Sequence, residues 1–199
     1  MIIVGAGALG LETLGILLDN NYTGDIIFFD DNPQKNNLLI FNKYKVINDE
    51  NELLNYMQND RDFIVSIGHP RLREKKYLQM LKLGCNPVNL ISKKAILFPF
   101  IKPFSGCIIE PFAGISHGVE IGESCAIHIN CTIGHEVKMG KFVNVGPGAN
   151  IVGPCKIGNY VYISVGAVVH PHVIIGDYAF IGSNVVVNRN IAEFETFLG

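Results

Sequence analysis

Residues 121–157 read IGESCAIHINCTIGHEVKMGKFVNVGPGANIVGPCKI, and an aliphatic or thioether side chain returns at every sixth position of the stretch. The phase extends outward without a slip, from Ile109, Ile115 and Ile121 through Ile133 and Met139 to Ile175, Ile181 and Val187, fourteen positions in all. Four residues after each stands a small or β-branched residue, among them Ala113, Cys125, Cys131, Val137 and Cys155. The residue directly after the aliphatic one is glycine in seven of the fourteen hexads. A period of six fits neither a helix nor a two-residue alternation. It fits short strands joined by tight corners, three to a coil, each coil stacked on the next as in other solenoids. The aliphatic residue then fills the interior and the small one fits where the corner narrows. Glycine is expected at the bends because it adopts positive φ freely. Cys125, Cys131 and Cys155 take the small-residue place and read as buried hydrophobes.

Residues 1–92 carry no hexad and read as a separate α/β unit. Met1–Val4 is a strand, followed by Gly5-Ala6-Gly7-Ala8-Leu9-Gly10, a G-x-G-x-x-G turn that opens an apolar helix. A second strand at Ile26–Phe29 ends in Asp30-Asp31. A helix near Glu50–Gln58, a strand at Phe63–Ile67, a basic helix at Arg71–Leu83 and a last strand at Pro87–Ile91 complete the alternation. Strands alternating with helices imply a parallel sheet. The glycines let backbone approach a phosphate, and the helix N-terminus adds N–H donors. Asp30 follows Gly10 at the spacing where an acidic side chain takes a ribose hydroxyl. The unit is about half of a full dinucleotide-binding domain, which argues against NAD.

Composition narrows the partners. The 199-residue chain is 48% apolar and 17% charged, with a formal net charge of −2. Such a chain has a core to bury and no excess of Lys and Arg to draw it to nucleic acid or anionic lipid. Five cysteines, an odd number with no C-x-x-C pair, suggest reduced thiols in a cytoplasmic protein. Neither a secretory signal nor a membrane span is expected.

The hexads resemble the [Leu/Ile/Val]-Gly-x-x-[small]-x signature of the hexapeptide-repeat acyltransferases. That resemblance implies a left-handed parallel β-helix, a homotrimer and acetyl-CoA bound between adjacent β-helices. With the small domain in front, the chain resembles the PglD/NeuD-like subfamily of sugar O-acyltransferases and nucleotide-aminosugar N-acetyltransferases. The fold expected is therefore a small Rossmann-like sugar-nucleotide-binding domain, residues 1–92, followed by a left-handed β-helix acetyltransferase domain, residues 93–199. The resemblance assigns Gly5, Gly7, Asp30, Asp31, Gly68 and Arg73 to the sugar nucleotide. In the glycine loop this chain has Gly7, Ala8 and Leu9 where relatives commonly carry Ser, Gly and His, so polar contacts of that loop are missing.

Acetyl transfer from a thioester needs a base near neutral pH, a task suited to histidine. Of six histidines, His135 has the best case, because Ile133-Gly134-His135-Glu136 resembles the subfamily's His-Glu segment, with Glu136 orienting the imidazole. His117 lies eighteen residues earlier and should stack one coil away on the same corner. His128 stands where relatives often carry a substrate-contacting Asn, and Asn144 where some carry a second His that meets acetyl-CoA. For the rest of acetyl-CoA the resemblance points to Gly153, Val165, Gly182 and Ser183. It implies no catalytic metal. The function expected is acetyl-CoA-dependent N-acetylation of a nucleotide-linked, dideoxy-type amino sugar for surface glycan biosynthesis. The alternatives are O-acetylation of a sugar of the sialic acid type, or sugar-nucleotide binding without catalysis.

Overall fold

The computed structural model describes residues 1–101 and 104–199. The N-terminal unit runs β1 (Ile2–Val4), α1 (Ala8–Asp19), β2 (Ile27–Phe29), β3 (Leu39–Ile40), β4 (Tyr44–Ile47), α2 (Glu50–Tyr56), β5 (Asp62–Val65), α3 (Pro70–Lys82) and β6 (Asn86–Pro87). Its sheet has the order β3-β4-β2-β1-β5-β6, parallel except where β3 meets β4. Ile2, Ile3, Val4, Phe28, Phe29, Phe63 and Ile64 are buried, so the central strands are apolar on both faces, as parallel strands covered by helices must be. Two glycines set the first turn. Gly5 has φ +105°, and a Cβ on Gly10 would lie 2.2 Å from the Gly5 carbonyl oxygen, so helix and strand meet there only without a side chain.

The expected last strand at Pro87–Ile91 is two strands in two different sheets. β6 closes the α/β sheet against β5, while β7 (Leu90–Ile91) pairs with Ile108–Ile109 as the first rung of the solenoid. Val88 N–H still bonds the Phe63 carbonyl at 3.0 Å, and the chain then passes directly into the next sheet at Leu90.

From there the chain winds through three parallel sheets of two-residue strands. Face one contains β7, Ile108–Ile109, Ala126–Ile127, Asn144–Val145, Tyr162–Ile163, Phe180–Ile181 and Thr196–Phe197. Face two runs from Ile96–Leu97 to Val186–Val187, and face three from Glu120–Ile121 to Ile174–Ile175. The register is that of the hexad: Ile109 lies against Ile127, Ile127 against Val145, Val145 against Ile163 and Ile163 against Ile181. The aliphatic and small positions form one continuous core that includes Cys107, Cys125, Cys131 and Cys155, all of them free thiols. This is the parallel β-helix expected from the hexads, left-handed as the family resemblance implied.

Glycine's part differs from the expectation. The glycines directly after the aliphatic position, such as Gly122, Gly134 and Gly140, do not take positive φ. They sit where a Cβ would strike the next coil, 2.5 Å from Gly140 backbone in the case of Gly122 and 2.4 Å from the Gly153 nitrogen in the case of Gly134. Positive φ falls two residues later, mostly on other residue types: Ser124, Asn130, Glu136, Phe142, Tyr160 and Tyr178. Close stacking between coils selects glycine here, and the corner tolerates a strained side chain because a coil lies above and below it.

Several bonds join the two units, among them Asn20 to the Ile91 carbonyl, Lys94 to Asp19 and Tyr160 to Glu74, and one of them is made by a buried cation. Arg73 on α3 is 1% exposed and donates from Nε to the Ser124 carbonyl, from Nη1 to those of Ile67 and Gly68, and from Nη2 to those of Phe142 and Val143. A guanidinium has five N–H donors, and each has an acceptor here. Burial lowers its pKa to about 10, still well above neutrality. Beside it, Phe142, Tyr160, Tyr178 and Phe194 stack along the corner between faces three and one, at centroid spacings of 5.5, 4.6 and 4.8 Å.

Candidate active site

At the carboxyl ends of β1, β2 and β5 lies a cleft of about 610 Å³. Gly5, Gly7, Asp30, Asp31 and Gly68 all line it, together with Ser66, Lys35 and Lys76. A Cβ at Gly7 or Gly68 would meet nothing within 4 Å, so both present backbone to open space. Gly7 caps α1 without a side-chain bond, leaving the helix's first N–H groups turned to the cleft, the arrangement that holds phosphate elsewhere. Asp30 Oδ2 accepts from the Ala6 N–H at 2.8 Å and from Lys35 Nζ at 2.9 Å, while Oδ1 accepts from the Asn32 N–H at 3.0 Å. Burial pushes the Asp30 carboxyl up, but these donors outweigh it and hold the group below the usual carboxylate range. Asp31 pairs with Lys76.

Of the expected substrate set, His128 lies apart on the side facing α1, and Arg73 does not reach the cleft either. Its donors are consumed by the backbone carbonyls that fasten the two units. His69, at the start of α3, lines a neighbouring aromatic hollow with Arg71, Tyr160 and Tyr178. Sequence reasoning missed Lys35 and Lys76, the cleft's two cations. The signal for Lys76 was its place one helical turn beyond Arg73; for Lys35 the sequence offered none.

His135 stands on the corner between faces two and three. Its Nδ1 lies 3.0 Å from Glu136 Oε2, and its ring stacks on His117 at 5.5 Å with an interplanar angle of 12°. The His135 side chain is 47% exposed, so the imidazole is presented outward while carboxylate and neighbouring ring fix its direction. Gly153 packs directly against it, for a Cβ there would come 1.7 Å from the His135 carbonyl oxygen. The structure thus brings His135, Glu136 and Gly153 together. Val165, Gly182 and Ser183 lie on a different corner, between faces one and two, with Val165 and Ser183 exposed and Gly182 buried. Face two separates the groups within one chain.

His128 and Asn144 are brought together on the side facing α1. His128 Nδ1 is 3.0 Å from Glu110 Oε1, and Nε2 is 3.2 Å from Asn144 Oδ1. Burial draws the His128 pKa down, but the hydrogen bond and charge of Glu110 outweigh it and raise it above the ordinary histidine value. Glu110, itself 4% exposed, was not picked out from the sequence.

A solenoid of hexads with an exposed His-Glu pair on one corner, behind an α/β unit with a phosphate-type glycine loop, defines a two-module hexapeptide-repeat protein. Residues 1–80 match the PglD N-terminal domain, and residues 154–189 match the bacterial transferase hexapeptide of six repeats. Among solved structures, a mutant perosamine N-acetyltransferase from Caulobacter crescentus, in complex with CoA and GDP-perosamine, is similar at 23% identity and TM-score 0.92, covering 100% of this chain and 92% of that one. The acetyltransferase domain of PglB from Neisseria gonorrhoeae, in complex with acetyl coenzyme A, is similar at 22% identity and TM-score 0.88, covering 98% and 93%. WeeI from Acinetobacter baumannii is similar at 22% identity and TM-score 0.91, covering 100% and 95%. A search of curated proteins returns no match. Among the described residues no helix is long and apolar enough to cross a membrane.

Proposed function

We propose that this chain is an acetyl-CoA-dependent N-acetyltransferase acting on the amino group of a nucleotide-linked amino sugar, in the making of a surface glycan. The α/β unit, which ends at β6, holds the nucleotide, and the solenoid, which begins at Leu90 rather than at residue 93, carries the transfer. The observation that carries the reading is the joining, in one chain, of a phosphate-type cleft with a solvent-facing His135–Glu136 pair. A fold shared with proteins solved with CoA and GDP-perosamine supports it.

In this reading the diphosphate rests on the first N–H groups of α1 and beside Lys35 and Lys76. Acetyl-CoA supplies a thioester whose carbonyl carbon is the electrophile. The sugar amine attacks it, a C–N bond forms, and His135 Nε2 takes the amine's proton. Glu136 accepts the Nδ1–H, which fixes the tautomer and steadies the imidazolium as it forms. A backbone N–H on the corner stabilises the oxyanion. The C–S bond then breaks, and the CoA thiolate leaves and takes up the proton.

His135 and Gly153 lie on one side of face two, Val165, Gly182 and Ser183 on the other. Acetyl-CoA therefore meets both sets between neighbouring copies, in a homotrimer whose shared channels are lined by one corner from each. The test is a thiol-release screen with acetyl-CoA and amino sugars linked to UDP, dTDP and GDP. Release that needs both the amino sugar and His135 supports the reading. Release with hydroxyl sugars alone, or with none, overturns it.

A further inference from the structure

On face two, beside the corner that carries His135, lies a hollow of about 660 Å³. Its floor is Gly114 and Ser116 on one coil and Thr132 and Gly134 on the next. Ile96 and Phe98 close one end, and Val152 closes the other. Gly134 directly precedes His135 and Ser116 directly precedes His117, so the stacked pair of imidazoles runs along the rim. The Phe98 ring continues that column, tilted 65° to His117 at 5.6 Å.

The two floor glycines have different causes. A Cβ on Gly134 would lie 2.4 Å from the Gly153 nitrogen, so the stacking of coils demands glycine there. A Cβ on Gly114 would meet nothing within 4 Å, and Gly114 does not take positive φ. Its ladder partners, Ile96 and Thr132, both carry side chains at the same place. Glycine weakens a strand and marks a site that a ligand or another backbone approaches closely. Nothing among the described residues approaches Gly114, so what it admits comes from outside the chain.

The lining says what kind of group that is. Among the described residues no charged side chain lines the hollow, and Thr132 donates its hydroxyl to Asn150 Oδ1 at 2.5 Å. A sugar or a phosphate would lose its water there without compensation, whereas a hydrocarbon tail would not. Gly134 and Gly114 are one coil and two residues apart, about 8 Å. The methyl group of an acetyl thioester at His135 fills only the near end of that length.

We propose that this hollow is an acyl subsite and that the protein also transfers acyl groups longer than acetyl, propionyl and butyryl among them, with Phe98 as the end wall. The proposal rests on the function proposed above. The bonds exchanged are the same: the sugar amine attacks the acyl carbonyl carbon, a C–N bond forms and the C–S bond breaks. CoA leaves as the thiol, with the proton that His135 took from the amine.

Thiol release would be measured with acetyl-, propionyl-, butyryl- and decanoyl-CoA, against GDP-perosamine and its UDP- and dTDP-linked counterparts, with mass spectrometry of the product. In wild type, kcat/KM for propionyl-CoA should lie within about 10-fold of that for acetyl-CoA, and decanoyl-CoA should be rejected by about 100-fold or more. Gly114→Val fills the floor and should cut propionyl and butyryl transfer relative to acetyl by about 10-fold or more. Ser116→Val fills the same floor and takes its place where Gly114→Val does not fold. Phe98→Ala should raise decanoyl transfer relative to acetyl by about 10-fold. Misfolding removes all donors together and cannot move the two ratios in opposite directions. Wild type that uses acetyl-CoA alone, or ratios unmoved in the floor variants, overturns the proposal and leaves acetyl transfer standing. Gel filtration showing Gly114→Val dissociated, with its ratios unmoved, would make Gly114 the seat of a neighbouring copy's backbone and overturn it too. No release with any donor and any amino sugar removes the function and the subsite together.

Discussion

Arg73→Met removes the cation that fastens the two units, and its cost follows from the five carbonyls it serves. Val143 O keeps a second donor, the Ala126 N–H at 2.9 Å. The Ile67 and Gly68 carbonyls border the open nucleotide cleft, where water can replace the guanidinium. Ser124 O and Phe142 O stay buried between the units, and each buried acceptor left unpaired costs about 1–3 kcal/mol. The substitution should therefore cost about 2–6 kcal/mol, set against a typical total of about 5–15 kcal/mol. The loss falls on the junction, since the solenoid's own ladders are untouched. Urea denaturation followed by circular dichroism should show the single wild-type transition split in two, the α/β unit unfolding first. Calorimetry should show CoA binding retained. A variant with an unchanged midpoint and weakened nucleotide binding would make Arg73 a substrate contact, as the resemblance implied, and would refute the structural role.

Gly153→Ala forces a methyl group into the His135 carbonyl, so the corner that carries the base must move. Turnover should fall at least about 10-fold with nucleotide affinity unchanged; equal turnover would mean the corner's position is immaterial. The His128–Glu110 pair gives a pH signature. The folded pKa of His128 lies above the unfolded value of about 6.5, so its contribution is complete below about pH 6.5 and is lost as pH rises through the folded value. Melting temperature should decline over that window in wild type and not in His128→Asn; identical profiles would remove the pair from the stability account. Asp30→Ala frees the Ala6 N–H and Lys35 and should loosen the glycine loop, raising KM for the sugar nucleotide by about 10-fold with kcat little changed.

The solenoid was legible because its rule is local and repeated. Each hexad states the same burial pattern, and the paired strands differ by one full coil, as Ile109, Ile127 and Val145 do. The glycine loop was legible for a similar reason, since Gly5 and Gly10 are demanded by one turn. What the sequence hid were long-range partners. Glu110 lies one coil from His128, at the same eighteen-residue spacing as His117 and His135, so that contact was readable from the hexads; its place under α1 was not, because that depends on how two separate units dock. Arg73 misled for the same reason. A basic residue after an Ile-Gly pair looks like a phosphate ligand until the carbonyls of Ser124, Phe142 and Val143 are seen around it. The glycine rule was half right: directly after the aliphatic residue the constraint is the neighbouring coil, while Gly118, Gly148 and Gly166, two residues further on, do take positive φ.

Acetyl transfer through His135 is the claim on which the rest depends. The direct measurement follows carbon-labelled acetyl-CoA, with GDP-perosamine and its UDP- and dTDP-linked counterparts, by nuclear magnetic resonance and mass spectrometry of the sugar nucleotide. The account predicts one labelled acetamide on the sugar nitrogen in wild type, formed about 10²–10⁴-fold more slowly by a folded His135→Ala variant. A labelled ester on a sugar oxygen, or equal rates in the two proteins, would contradict it.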